Sequence, residues 1–190
     1  FDFDALKPIV HLSVRFLDNV IDVNRYPLPE IDKMTKSNRK VGLGIMGFAD
    51  ALFQLGIPYN SEKGVEMAEK VMSFIQEESH MASEALAAQR GVFPNWQGSR
   101  WEQQGRAMRN ATTTTVAPTG TISIIANCSG GIEPLFSLAF WRQVLDGKRL
   151  PEVNQYFLRC AEENDFLRNG LIEELAESGS LKDIKGIPDG

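Results

Sequence analysis

Thr112-Thr113-Thr114-Thr115-Val116-Ala117-Pro118-Thr119-Gly120-Thr121-Ile122-Ser123-Ile124-Ile125-Ala126-Asn127 changes character partway along. The four threonines and Val116 are β-branched and favour a strand. Ile124 to Asn127, short and mostly apolar, reads as one or two helical turns. A strand that ends in Pro118-Thr119-Gly120-Thr121 and turns into a helix leaves amide N–H groups unpaired at the helix start. Those groups, the helix dipole and two or three hydroxyls make an anion site suited to phosphate. A plain turn capped by Thr119 or Thr121 uses the same residues with no ligand. Local chemistry leaves both readings open.

The 190 residues suffice for one domain of ordinary size with a substantial core. With 43% hydrophobic and 24% charged residues, wholesale disorder and a fibrous class are excluded. A net charge of -5 argues against a general nucleic-acid face, though not against a local basic pocket. The longest apolar run, Leu135 to Trp141, is broken by Ser137 and is far too short for a bilayer span, so no membrane partner is expected. No signal peptide is visible, and a start at Phe1 rather than Met suggests an excised piece or a partial gene product. Cys128 and Cys160 form no CxxC and cannot build a metal cluster; such sparse cysteine fits a reducing, cytoplasmic setting.

Outward from the threonine stretch, helical periodicity dominates. Leu6, Ile9, Val10, Phe16, Leu17, Val20 and Ile21 predict a helix over Asp4 to Val23, with Asp4 as N-cap and Pro8 close enough to the first turn to be tolerated. Tyr26-Pro27-Leu28-Pro29 ends it in an extended connector. Gly42, Gly44 and Gly47 form a GxGxxG, but Ser37-Asn38-Arg39-Lys40 stands where a dinucleotide fingerprint needs a strand. The glycines instead suit close packing of a short strand that runs into a helix through Leu52 and Phe53.

Ser61 to Arg90 predicts the longest helix, capped by Ser61 and stopped by Gly91, with Ala68, Val71, Met72, Ile75, Ser79, Ala82 and Leu86 at helical spacing. His11 and His80 lie on amphipathic helices without carboxylates at metal-ligand spacing, so solvent or packing roles are expected. Phe93-Pro94-Asn95-Trp96 to Trp101 reads as an irregular loop with aromatic anchors. Arg106 and Arg109 either counter a phosphate or face water. Gly130-Gly131-Ile132-Glu133-Pro134 predicts a tight turn, Leu135 to Trp141 a buried strand, Leu150 to Glu163 a helix with Pro151 near its start, and Leu171 to Ser178 a shorter helix. Strand–helix alternation of this kind points to parallel α/β structure. Three strand candidates against four or five helices make too small a sheet to stand alone, so a part of a larger sheet or barrel is expected.

Arg109 to Ser123, followed by Cys128-Ser129-Gly130-Gly131-Ile132-Glu133-Pro134, closely resembles the catalytic chain of ribonucleotide reductase, most of all the adenosylcobalamin-dependent class. Asn38 to Ala51, Arg90-Gly91-Val92-Phe93-Pro94 and Arg142-Gln143-Val144-Leu145-Asp146-Gly147 carry the same resemblance, which covers essentially residues 1–190. It implies one partial domain, the second half of a helix-rich, ten-stranded α/β barrel built from two five-stranded parallel halves. It implies that Pro118, Thr119, Gly120, Thr121 and Ile122 hold the substrate phosphates of a ribonucleoside di- or triphosphate. Gly120 would let the backbone approach the ligand, Thr119 and Thr121 would add hydroxyl donors, and Ile122 would offer only its amide.

The chemistry so implied is deoxyribonucleotide synthesis by radical reduction of the ribose 2′-hydroxyl. A cysteine thiyl, generated with adenosylcobalamin, abstracts the 3′-hydrogen; a cysteine pair and a thioredoxin-like reductant supply electrons. The family's Asn-x-Cys-x-Glu motif is not in this sequence, and Cys128 is followed by Ser129 and Gly130. Cys160 reads as a packing cysteine on a helix. The chain alone is therefore expected to be inactive and to act with the remainder of the catalytic chain, as in a protein split by an intein or a gene break. Two further readings stay open: a class whose radical comes from a separate di-iron subunit, and a helical interaction module whose Pro-Thr-Gly turn binds nothing.

Overall fold

In chain order the elements are α1 (Phe3–Val23), α2 (Pro29–Asn38), α3 (Phe48–Gln54), α4 (Glu62–Arg90), α5 (Arg100–Gln103), α6 (Gly120–Ala126), β1 (Ala139–Gln143), β2 (Arg149–Val153), α7 (Gln155–Glu163) and α8 (Leu171–Ser178). The computed structural model describes residues 1–143, 149–182 and 184–188. Positions 144–147 of the stretch Arg142 to Gly147 thus lie outside the described residues. The chain divides into two units, Phe1–Met46 with Asn60–Thr119 and Gly47–Tyr59 with Gly120–Gly190.

The first unit is built on α1 and α4. Val10 packs with Val71 and Ile75, and Val14 with Ala82 and Leu86. Numbers rise together along the contact, so the two helices run in the same direction. Burial of each such aliphatic side chain is worth roughly 1.5–3 kcal/mol. As predicted, Ser61 Oγ accepts from Gly64 N (3.1 Å) at the start of α4, and Gly91 (φ 82) ends it. The cap of α1 is Asp2, which accepts from Ala5 N at 2.9 Å, and not Asp4. The helix begins one residue earlier than the periodicity suggests because Phe3 is already packed on Phe74, ring centroids 4.9 Å apart. The Tyr26 to Pro29 connector is also shorter than expected. Pro29 opens α2, where its fixed φ and missing N–H suit the first helical position.

Two extended segments meet beside α4. Val41 N donates to Thr112 O (3.1 Å), Leu43 N to Thr113 O (2.8 Å) and Thr115 N to Leu43 O (3.0 Å), with Leu43 and Thr114 paired in parallel. Parallel segments need a crossover connection, and α4 lies within it. The expected threonine strand therefore shrinks to one parallel bridge, since parallel strands are stabilised by neighbours on both sides. The glycines do pack closely: a Cβ on Gly42 would stand 2.8 Å from Thr115 Cγ2, and one on Gly44 would stand 2.9 Å from Thr115 O. In the aromatic loop, a 3-10 turn over Pro94–Trp96 precedes α5. Trp96 Nε1 donates to Arg106 O (2.8 Å) and Trp101 Nε1 to Ala111 O (2.9 Å), so both indoles anchor the loop as predicted.

The second unit corrects two expectations. Strand β1 starts only at Ala139, because Phe136 is 95% exposed and the segment before β1 is not buried as a strand. Leu150 and Pro151 belong to β2, which pairs antiparallel to β1 with Trp141 opposite Pro151. The helix expected from Leu150 starts at Gln155, where Asn154 Oδ1 accepts from Tyr156 N (2.9 Å) and Phe157 N (3.1 Å). Asn154 caps more strongly than Pro151 can start a helix, and an edge strand tolerates the proline. Helix α8 spans the predicted residues. Ala139, Phe157, Leu171, Leu175 and Ile184 form the core of this unit. Cys160 is half-buried on α7.

The fold is thus helix-rich. Among the described residues the only sheet is β1–β2, two-stranded and antiparallel, beside the parallel Leu43–Thr114 bridge. No helix among them is long and apolar enough to cross a membrane.

Candidate functional site

Thr119 stands at the corner of the Pro118 to Ile122 turn with φ 55, in the left-handed region. That conformation is uncommon for a β-branched residue and costs about 1–3 kcal/mol. The next residue, Gly120, is the first of α6. Ser123 turns inward, its hydroxyl donating to Gly120 O at 3.0 Å, and is 5% exposed. Gly120, Thr121 and Ile122 face solvent, Pro118 is exposed and Thr119 half-buried. No protein atom lies within 4 Å of where a Cβ on Gly120 would stand. The glycine is therefore not demanded by packing inside this chain, and there is room in front of it. The first amides of a helix have no carbonyl one turn back to accept from them. The turn can present amide and hydroxyl donors to an anion.

Both arginines named with this turn have partners within their own unit. Arg106 Nε donates to Glu84 Oε1 (2.7 Å), and its guanidinium lies 5.6 Å from the Trp101 ring centre. Arg109 donates to the backbone oxygens of Arg90 (3.1 Å) and Gly91 (3.2 Å) and reaches Asp18 Oδ2 at 3.4 Å. Arg106 stays about a third exposed, while Arg109 is 13% exposed in these pairings. Both histidines pack, but with polar partners: His11 Nε2 lies 2.7 Å from Glu78 Oε2, and His80 meets the edge of Trp101 at 5.0 Å. Burial and the Arg106 charge hold the His80 imidazole below its usual range.

Three buried carboxylates, Asp18, Asp50 and Glu78, went unread in the sequence. Asp18 is fully buried and accepts from Arg39 Nε (2.9 Å) and Nη2 (2.7 Å), Arg90 Nη1 (2.9 Å) and Asn110 Nδ2 (3.0 Å). Asp50, 3% exposed, accepts from Ser129 N at 2.6 Å and from Asn154 Nδ2 at 2.9 Å. The legible signal was position: Asp18 follows Val14 by one turn on the core side of α1, and Asp50 sits inside Phe-Ala-Asp-Ala-Leu. A carboxylate on an apolar helix face is buried only when donors meet it.

Asp50 fastens the chain that follows α6. It lies at the edge of an open cleft of about 570 Å³ lined also by Ser123, Cys128, Glu133, Phe136 and Asn154. Burial, and secondarily the Asp50 charge, pushes the Cys128 thiol above its usual range. Cys128 is therefore kept as a thiol, the less nucleophilic form. Among the described residues no group of three His, Cys, Asp or Glu side chains could hold a metal ion.

A parallel crossover beside a long helix, and a Thr-Gly turn opening a helix, define an α/β chain. Residues 1–107 and 102–190 match the ribonucleotide reductase barrel domain, and the chain belongs to that family. Its sequence is 56% identical over 184 residues to the vitamin B12-dependent ribonucleoside-diphosphate reductase of Thermoplasma acidophilum, covering 97% of this chain and 24% of that protein. It is 47% identical over 187 residues to the protein of the same description from Mycobacterium tuberculosis, covering 98% and 27%. Against the ribonucleoside-diphosphate reductase subunit alpha of Chlamydia pneumoniae it is 30% identical over 227 residues, covering 99% and 22%. The chain spans about a quarter of the length of these relatives.

Proposed function

We propose that this chain is the substrate-phosphate part of a ribonucleotide reductase that makes deoxyribonucleotides by a thiyl-radical mechanism. Pro118, Thr119, Gly120, Thr121 and Ile122 bind the 5′-phosphates of a ribonucleoside di- or triphosphate. The observation that carries the reading is the turn: a strained Thr119, a helix opening at Gly120, and open space where a Cβ on Gly120 would be. Strain in a non-glycine residue persists where a function repays it, and amides at a helix start attract anions. On this reading residues 1–190 form one partial domain, the C-terminal half of a ten-stranded barrel completed by the remainder of the catalytic chain. The complete enzyme works in the cytoplasm with a thioredoxin-like reductant, and the chain alone is inactive.

The complete enzyme uses adenosylcobalamin as the source of its radical. The residues of this chain do not fit a role in holding it. His11 Nε2 is engaged by Glu78 and His80 Nδ1 lies 3.5 Å from Arg106, and among the described residues no group of three His, Cys, Asp or Glu could hold a metal ion. The part of this chain is to bind and orient the phosphates.

The test is Gly120→Val in the complete enzyme, with nucleotide binding followed by equilibrium dialysis. Binding weakens about tenfold or more while the melting temperature stays put, because the added side chain meets ligand and not protein. Unchanged binding makes the turn purely structural.

A further inference from the structure

Helix α1 has two apolar stripes, and only one is used inside its unit. Val10, Val14 and Ile21 are buried. Ile9, Leu12, Phe16, Val20 and Val23 stand about 140° around the helix from them, at 100° per residue. They are 58%, 68%, 62%, 39% and 77% exposed. From Ala5 to Val23 no charged residue interrupts this second stripe, which Ser13 and Asn19 flank. It runs for about 21 Å along the helix axis. A helix that is apolar on opposite sides is the pattern of one buried on both, and a continuous exposed stripe marks an interface.

We infer that the outer stripe of α1 is the docking face for the part of the same catalytic polypeptide that lies outside these 190 residues. The inference rests on the proposed reading of the chain as part of a longer enzyme. Relatives 56% and 47% identical match 97% and 98% of this chain, yet those matches are only 24% and 27% of their own lengths. About three quarters of such a polypeptide is thus tethered to this segment. Tethering sets an effective concentration in the millimolar range, which outcompetes a second copy at micromolar concentration. The same unit is incomplete elsewhere too, since the Leu43–Thr114 pair is an isolated bridge with no further strand beside it among the described residues. A membrane surface fits poorly: the net charge is -5, and Arg15 beside Leu12 falls short of the basic face that anionic lipids attract.

The experiment compares Leu12→Asp/Phe16→Asp in the complete polypeptide and in the 190-residue chain, by thermal unfolding and by mass in solution. Both side chains are solvent-facing here, so the 190-residue chain keeps its melting temperature to within about 1 °C, while the complete polypeptide loses about 5 °C or more. If the double variant of the complete polypeptide is insoluble, Phe16→Ala is compared in the same way. No loss in the complete polypeptide overturns the inference, as does an equal loss in both. So does a 190-residue chain that dimerises through this stripe and becomes monomeric on substitution. Nucleotide binding by the wild-type complete polypeptide, measured alongside, tests the functional reading separately: its absence sinks that reading and leaves the stability comparison intact.

Discussion

Asp18→Asn removes one charge from the most crowded ionic cluster in the chain and tests how the first unit is held. The Asp18 side chain is fully buried, and the side chains facing it are 5% (Arg39), 27% (Arg90) and 13% (Arg109) exposed. Asparagine keeps one acceptor oxygen, so either the Arg39 and Asn110 donors or the Arg90 and Arg109 donors meet an N–H group instead. Among the described residues, the ion pair left to this cluster is Arg39 with Asp22, whose side chain is 48% exposed. Breaking a buried ion pair costs about 3–5 kcal/mol. Arg90 and Asp22 can hydrate, which places this case at the lower end, about 3 kcal/mol. That is a large share of a typical stability of about 5–15 kcal/mol. With a urea m-value of about 2 kcal/mol/M, the midpoint falls by about 1.5 M. Tryptophan fluorescence reports the transition, with Trp141→Phe in both proteins so that Trp96 and Trp101 of the first unit give the signal. Asp22→Asn is the control, expected to cost less than about 1 kcal/mol because the pair is half in water. A midpoint shift for Asp18→Asn no larger than that of the control refutes the reasoning.

Three other perturbations follow from the same geometry. Gly44→Ala places a methyl group 2.9 Å from the Thr115 carbonyl oxygen and destabilises by about 1–3 kcal/mol, whereas Gly120→Ala, with nothing within 4 Å, leaves the melting temperature unchanged. Equal effects at the two sites would sink the close-packing account. Lys7 first and His11 second, by hydrogen bonding, hold the Glu78 carboxyl below its ordinary 4.5. A lowered folded pKa contributes stability that is complete above 4.5 and disappears as pH falls through the lowered value. Acid unfolding followed by circular dichroism is therefore steeper in the wild type than in Glu78→Gln; parallel curves would contradict the pairing. Finally, Cys128 reacts with iodoacetamide at about pH 8 more slowly in the folded protein than in urea, and Asp50→Asn speeds it by removing a neighbouring negative charge. Equal rates in folded and unfolded protein would show that neither burial nor Asp50 acts on the thiol.

Much of this protein was legible in the sequence because much of it is locally determined. The spacing of Val71, Ile75, Ala82 and Leu86, the Ser61 cap and the Gly91 stop define α4 without reference to anything distant. The helix start at Gly120 is equally local: a threonine stretch, Pro118, Gly120 and the apolar residues behind them suffice to place it. What the local signals could not supply is partnership across sequence distance. Whether Leu150 and Pro151 join a helix or a strand depends on Trp141 and Arg142 lying opposite them, and Asn154 decides where the helix starts. Whether Arg109 meets a phosphate depends on Asp18, 91 residues away, which claims it. Periodicity and capping report a residue's own turn of chain. The neighbours of a charge, and the strand opposite a proline, are chosen only when the chain is packed. The sequence by itself thus determined α4, α8, the family and the helix start at Gly120; tertiary structure alone decided which charges are consumed in holding the fold, because an ion pair is a property of two places and not of one.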